Sequence, residues 1–205
     1  ILSGALWALD KPAPSCVILH QNPAVIANCA PSLKPPYLSS HPQLTSQTMT
    51  APIHPQARIG HIHLKVSDLE RAIDFYSGVL GFELQQRYGT QAAFLSAGGY
   101  HHHIGLNTWE SAGAGPVPRG YPGLYHTAFL YPDRAQLGDA LRRILDAGLT
   151  LDGAADHGVS EAIYLSDPDG NGVELYWDRE EAAWPRDANG MLQMQNAPLD
   201  LQALL

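Results

Sequence analysis

The chain has 205 residues, with 20 acidic and 12 basic side chains and a formal net charge of −8. Such a chain has no basic stripe to grip nucleic acid or an anionic membrane, and no apolar run reaches the ~20 residues that span a bilayer. Both cysteines, Cys16 and Cys29, precede residue 30, so a disulfide scaffold and thiolate–metal chemistry are excluded from Thr50 onward, which suits a cytoplasmic protein.

Residues 1–48 contain three charged side chains (Asp10, Lys11, Lys34) and seven prolines, and show neither a strand nor a helix period. The first methionine is Met49, and the preceding stretch is read as a leader or linker, disordered or translated from upstream sequence. A domain is expected over 49–180, built of two modules at 59–111 and 123–180, with a C-terminal extension at 181–205.

The first module opens with the strand pattern G-H-I-H-L-K-V-S-D, from Gly60 to Asp68, which puts His61 and His63 on one face. A helix follows, with Leu69, Ile73, Tyr76 and Leu80 at apolar spacing, Asp68 as N-cap and Gly81 as the stop. Strands are predicted near Phe82–Tyr88, Ala92–Ser96 and His101–Thr108. Strict alternation in the last of these would put His101, His103 and Gly105 on one face and His102 on the other.

From Gly123 the same order returns. G-L-Y-H-T-A-F-L-Y-P-D leads into a helix ending at Gly148, then strands near Leu151–Asp156, Ala162–Ser166 and Gly172–Trp177. His61 and His126 are 65 residues apart, as are Asp68 and Asp133, and I-G-L at 104–106 matches V-E-L at 173–175. The fold expected is therefore α+β, built of two tandem βαβββ modules. The extension ends in a helix candidate, P-L-D-L-Q-A-L-L, able to cover a cleft or pack on a second subunit.

Asp167-Pro168-Asp169-Gly170-Asn171-Gly172 reads as a tight turn, with proline presetting φ and glycines free to take positive φ. The strand after it buries Val173, Leu175 and Trp177 and puts Glu174 and Tyr176 on the other face. A mid-strand carboxylate on a packed sheet is costly unless a positive partner awaits it. His61 and His126 at equivalent repeat positions, together with Glu174, make a 2-His-1-carboxylate set that leaves open positions on an octahedral ion. Zinc accepts the same donors, so the set alone does not name the metal.

G-H-I-H-L-K-V-S-D-L-E-R-A-I-D-F-Y-S-G-V-L-G-F resembles the opening module of the vicinal oxygen chelate superfamily, which includes glyoxalase I, bleomycin-resistance proteins and type I extradiol dioxygenases. The resemblance implies that the two modules form a cupped mixed sheet around a metal site, and within the superfamily the chain is most similar to the catechol 2,3-dioxygenase kind. That pattern is met by His157, Ile163-Tyr164, Asp167-Pro168, Gly170 and Glu174, with Ala155 as one departure. The resemblance implies that His61, not His63, joins His126 and Glu174 on Fe(II), with Mn(II) or another divalent ion as alternatives. It implies that His157 and Tyr164 hydrogen-bond the substrate, and that His102, with His103 in reserve, is the acid–base group. A neutral imidazole suits that work near pH 7. The partners implied are a small aromatic diol, dioxygen and a second copy of the chain in a homodimer. Rival readings are a glyoxalase-like lyase, isomerase or thiol transferase on the same cup, or a metal-free binding protein. Gly105 stands where glyoxalase I enzymes carry a fourth, glutamate ligand, which favours the dioxygenase.

Overall fold

The computed structural model describes residues 51–118 and 120–205, so the expectations for residues 1–48 lie outside the described residues. Each half of the domain turns on one local decision: a strand is followed by an aspartate N-cap and a helix that carries the chain back, so that the first and last strands of the half lie parallel. In the first half these elements are β1 (Ile62–Lys65), α1 (Leu69–Ile73), β2 (Glu83–Tyr88), β3 (Ala92–Ser96) and β4 (Ile104–Asn107). The second half has β5 (His126–Leu130), α2 (Arg134–Asp146), β6 (Gly153–Asp156), β7 (Ser160–Ser166) and β8 (Gly172–Asp178), then β9 (Ala197–Pro198) and α3 (Leu201–Leu204).

The sheet orders are β1-β4-β3-β2 and β5-β8-β7-β6-β9, with β1/β4 and β5/β8 parallel and the remaining pairs antiparallel. This is the expected α+β fold of two βαβββ modules. Asp68 accepts a hydrogen bond from the Arg71 amide and Asp133 one from the Gln136 amide, so both N-caps form as their positions predict.

The helices cover one face of the sheets. Leu69, Ile73, Tyr76 and Leu80 are buried with Leu95, Ile104 and Leu106, and the same cluster continues through Leu137, Leu141, Ile144, Ile163 and Leu175. Each such side chain contributes roughly 1.5–3 kcal/mol relative to exposure. The opposite face of the second sheet carries His126, Tyr164 and Glu174.

Two expectations need correction. The first helix is not a single α-helix: after Ile73 it widens into a π-helix over Asp74–Val79. Phe75 and Tyr76 lie in this wider turn, both buried, with their rings 5.0 Å apart and nearly perpendicular. Second, β4 begins at Ile104, so His101, His102 and His103 precede the strand and strict alternation does not govern them.

Candidate metal and substrate site

Four polar side chains converge on the open face of the second sheet. His126 opens β5 and Glu174 lies mid-strand on β8, its direct neighbour. Tyr164 on β7 is in register with Glu174, so the two side chains share a face. Gly172 makes this approach possible: a Cβ there would overlap the carbonyl oxygen of Tyr125 and lie 3.0 Å from the Cβ of His126.

The contacts are continuous. His126 Nε2 lies 2.9 Å from Glu174 Oε2, the Tyr164 hydroxyl lies 3.0 Å from Glu174 Oε1, and His157 Nε2 lies 2.7 Å from the same hydroxyl. Glu174 is only 13% exposed and His126 33%, so the carboxylate is largely withdrawn from water. Among the described residues no lysine or arginine pairs with it. Burial, then the neighbouring Glu174 charge, raises the Tyr164 pKa, so this phenol stays protonated and remains a hydrogen-bond donor.

The first module contributes histidines in two groups. His102 packs its ring 4.5 Å from that of His61 and 5.2 Å from that of Phe94, with its Nδ1 2.7 Å from Nδ1 of His101. Freed from the strand, His102 thus reaches the side of the sheet that alternation would have denied it. Burial, followed by the neighbouring imidazoles, lowers its pKa and keeps it neutral near pH 7. His63 pairs in register with Gly105 and stacks near Trp109. A Cβ on Gly105 would lie 2.9 Å from the His63 ring, so the imidazole fills the space that a larger side chain at position 105 would need.

His126 and Glu174 fit a divalent ion. Two donors at right angles on an octahedral ion with bonds of about 2.1 Å stand about 3 Å apart, which is the spacing seen between Nε2 and Oε2. His126 Nδ1 is buried and has no hydrogen-bond partner among the described residues. His61 is not gathered with them: among the described residues, no three histidine, aspartate, glutamate or cysteine side chains form a group that could hold an ion. The structure therefore brings together His126, Glu174, Tyr164 and His157 directly, and leaves His61 and His102 stacked on one another beside Phe94.

Two features had no signal in the local pattern. The Asp167 carboxylate accepts from the amides of Asp169 and Asn171, from Asn171 Nδ2 and from the buried hydroxyl of Tyr76, tying the turn before β8 to the first module. Asp169 extends this tie, accepting from Ser67 and Arg71. A cleft of about 580 Å³ also lies elsewhere, lined by Leu80, Phe82, Phe129, Tyr131 and Arg143; of the proposed site residues only the reserve His103 borders it. The contacts among His126, Glu174, Tyr164 and His157 lie on the polar sheet face, away from this cleft.

Two βαβββ modules with polar groups gathered on the uncovered sheet face define a glyoxalase-like fold, and residues 58–175 match the family model of the Glyoxalase/Bleomycin resistance protein/Dioxygenase superfamily. The chain belongs to that superfamily. It is 42% identical over 154 residues to a catechol-2,3-dioxygenase of Bacillus subtilis, covering 75% of this chain and 53% of the relative. It is 31% identical over 121 residues to biphenyl-2,3-diol 1,2-dioxygenase 3 of Rhodococcus globerulus, covering 59% and 63% of the two chains. The chain thus spans between half and two-thirds of the length of these relatives. A glyoxalase/dioxygenase from Nostoc punctiforme shares the fold, with a TM-score of 0.53 and 20% identity over 66% of this chain and all of the other. Among the described residues no helix is long and apolar enough to cross a membrane.

Proposed function

We propose that the chain is a metal-dependent extradiol dioxygenase that opens the ring of a catechol-like diol. The observation that carries this reading is the unbroken chain of contacts His126–Glu174–Tyr164–His157 on one sheet face. It places a carboxylate suited to a cation within two hydrogen bonds of a histidine suited to proton transfer. Similarity to two dioxygenases that act on aromatic diols supports the same chemistry.

We propose that His126 and Glu174 hold the metal, Fe(II) or Mn(II), and that His61, which stands apart from them against His102 in this structure, joins them as third ligand when the ion binds. When bound, such an ion would supply positive charge for a deprotonated diol and open positions for substrate and dioxygen. The protein's part is orientation and proton handling. The Tyr164 hydroxyl, held as a donor, steadies an oxygen of the substrate, and His157 Nε2 exchanges a proton through it. His102 has its Nδ1 turned to His101, which leaves Nε2 to take a proton from the diol and return it. Phe94, against His102, offers an apolar surface for a ring. A homodimer in the cytoplasm is the setting that accompanies this proposal.

The test is anaerobic purification with metal analysis, followed by oxygen uptake on a panel of catechols. Catechol-dependent uptake with about one divalent ion per chain is expected, and Glu174→Gln should abolish both metal retention and uptake. Bound nickel or zinc with no oxygen consumption would point to a lyase or isomerase. An active Glu174→Gln protein would remove Glu174 from the site.

A further inference from the structure

The C-terminal extension reaches His157 and touches it twice through a single residue. The Gln195 amide donates to the His157 carbonyl at 3.0 Å, and the Gln195 carbonyl oxygen lies 2.9 Å from His157 Nδ1. A carbonyl oxygen can only accept a hydrogen bond, so Nδ1 must carry a proton. The Tyr164 hydroxyl has one proton to share between Glu174 Oε1 and His157 Nε2. A neutral ring must accept that proton at Nε2, and while Tyr164 donates to Glu174 the ring must itself donate from Nε2. In both cases Nδ1 keeps its proton, and a neutral Nε2–H tautomer would set two lone pairs against each other at Gln195. We infer that the extension is a positioning device, in which the main chain of Gln195 fixes the tautomer and ring orientation of His157 so that Nε2 alone faces Tyr164.

The segment carrying Gln195 is anchored on both sides. Upstream, the Trp184 indole donates to the Arg179 carbonyl at 2.8 Å, and the Gln193 amide donates to the Pro185 carbonyl at 2.8 Å. Gly158, next to His157, has φ +76°, and a Cβ there would lie 2.9 Å from Pro185 and 3.3 Å from the Gln195 side chain, so the extension packs directly on the histidine loop. Downstream, β9 pairs with β6 through Ala197↔Asp156 and Pro198↔Ala155. α3 is then capped by Asp200, its Leu204 is buried in the core, and Arg134 donates to the Ala203 carbonyl at 2.7 Å. A carbonyl held at two ends loses little entropy when it engages the ring, which is what pre-orientation of a proton-transfer group requires.

This inference rests on the proposed role of His157 in turnover, but its first test does not. Nitrogen-15 NMR of the full chain loaded with diamagnetic zinc should show His157 protonated at Nδ1, and a neutral Nε2–H tautomer in that spectrum would overturn the proposal with no variant needed. Gln195→Pro removes the amide donor and bends the strap, while Gln195→Ala keeps the main chain and serves as the conservative control. The Pro variant is expected to lose the fixed tautomer and, in the iron-loaded enzyme, to reduce kcat on the order of 10-fold with unchanged iron content, as loss of supporting partners does elsewhere. The Ala variant should match the parent in both readouts. A Pro variant with the parent's tautomer and kcat would refute the positioning role. Absence of oxygen uptake by the parent chain would instead refute the dioxygenase reading, leaving the tautomer measurement to decide the strap.

Discussion

Replacing Asp167 with alanine should be among the most damaging single changes available outside the proposed metal ligands. Its Oδ1 accepts from the amides of Asp169 and Asn171 at 2.9 and 2.8 Å, and its Oδ2 from Tyr76 and Asn171 Nδ2, both at 2.9 Å. Tyr76 is fully buried and Asp167 nearly so. A hydrogen bond to a charged group contributes roughly 1.5–3 kcal/mol, and a buried hydroxyl left without its partner costs about 1–3 kcal/mol. Relief from burying the carboxylate offsets part of this, and the four bonds are not additive, so a net loss of about 3–5 kcal/mol is expected. For a domain of this size that lowers Tm on the order of 10 °C. Urea unfolding followed by tryptophan fluorescence measures it directly. Tyr76→Phe, which removes one donor only, should cost about 1 kcal/mol, and the double variant should show coupling between the sites. A loss below about 1 kcal/mol for Asp167→Ala, or strict additivity with Tyr76→Phe, would mean that the turn holds its shape without the carboxylate.

Three further outcomes are expected. His102→Phe should retain metal but lose about 10²–10⁴-fold in catechol-dependent oxygen uptake, and full activity would move the acid–base role to His103 or His157. Gly172→Ala must push β5 away from β8, at a cost of about 1–3 kcal/mol, and should weaken metal binding by separating His126 from Glu174; a metal titration matching the parent would show that the strand gap is not what sets that pair. The hydrogen bond from Arg179, its largest cause, holds the Asp156 carboxyl below its ordinary range. The folded chain then binds fewer protons there than the unfolded chain, so this stabilisation is present above about pH 4 and is lost as pH falls through the folded value. Tm measured between pH 6 and 3 should fall more steeply for the parent than for Arg179→Met, and parallel curves would refute the linkage.

Much of the framework was legible because it is written in local periods. Two-residue alternation separates Val173 and Leu175 from Glu174, aspartates mark both helix starts, and the 65-residue repeat makes His61 and His126 equivalent positions. Such features need only a few neighbouring residues to agree, so they survive in the linear chain. The histidine run shows where that logic ends: alternation assumes a strand from His101, whereas β4 begins three residues later at Ile104, and His102 turns to Phe94 and His61. The tie of Asp167 to Tyr76, 91 residues away, and that of Gln195 to His157, 38 residues away, carry no period at all. They depend on how the turn meets the first helix and how the extension crosses β6. Sequence alone determined the strand faces, the helix caps and the identity of the polar side chains. Tertiary packing decided which of them touch, because a hydrogen bond requires a distance and an angle that only the assembled sheets and the anchored C-terminal strap impose.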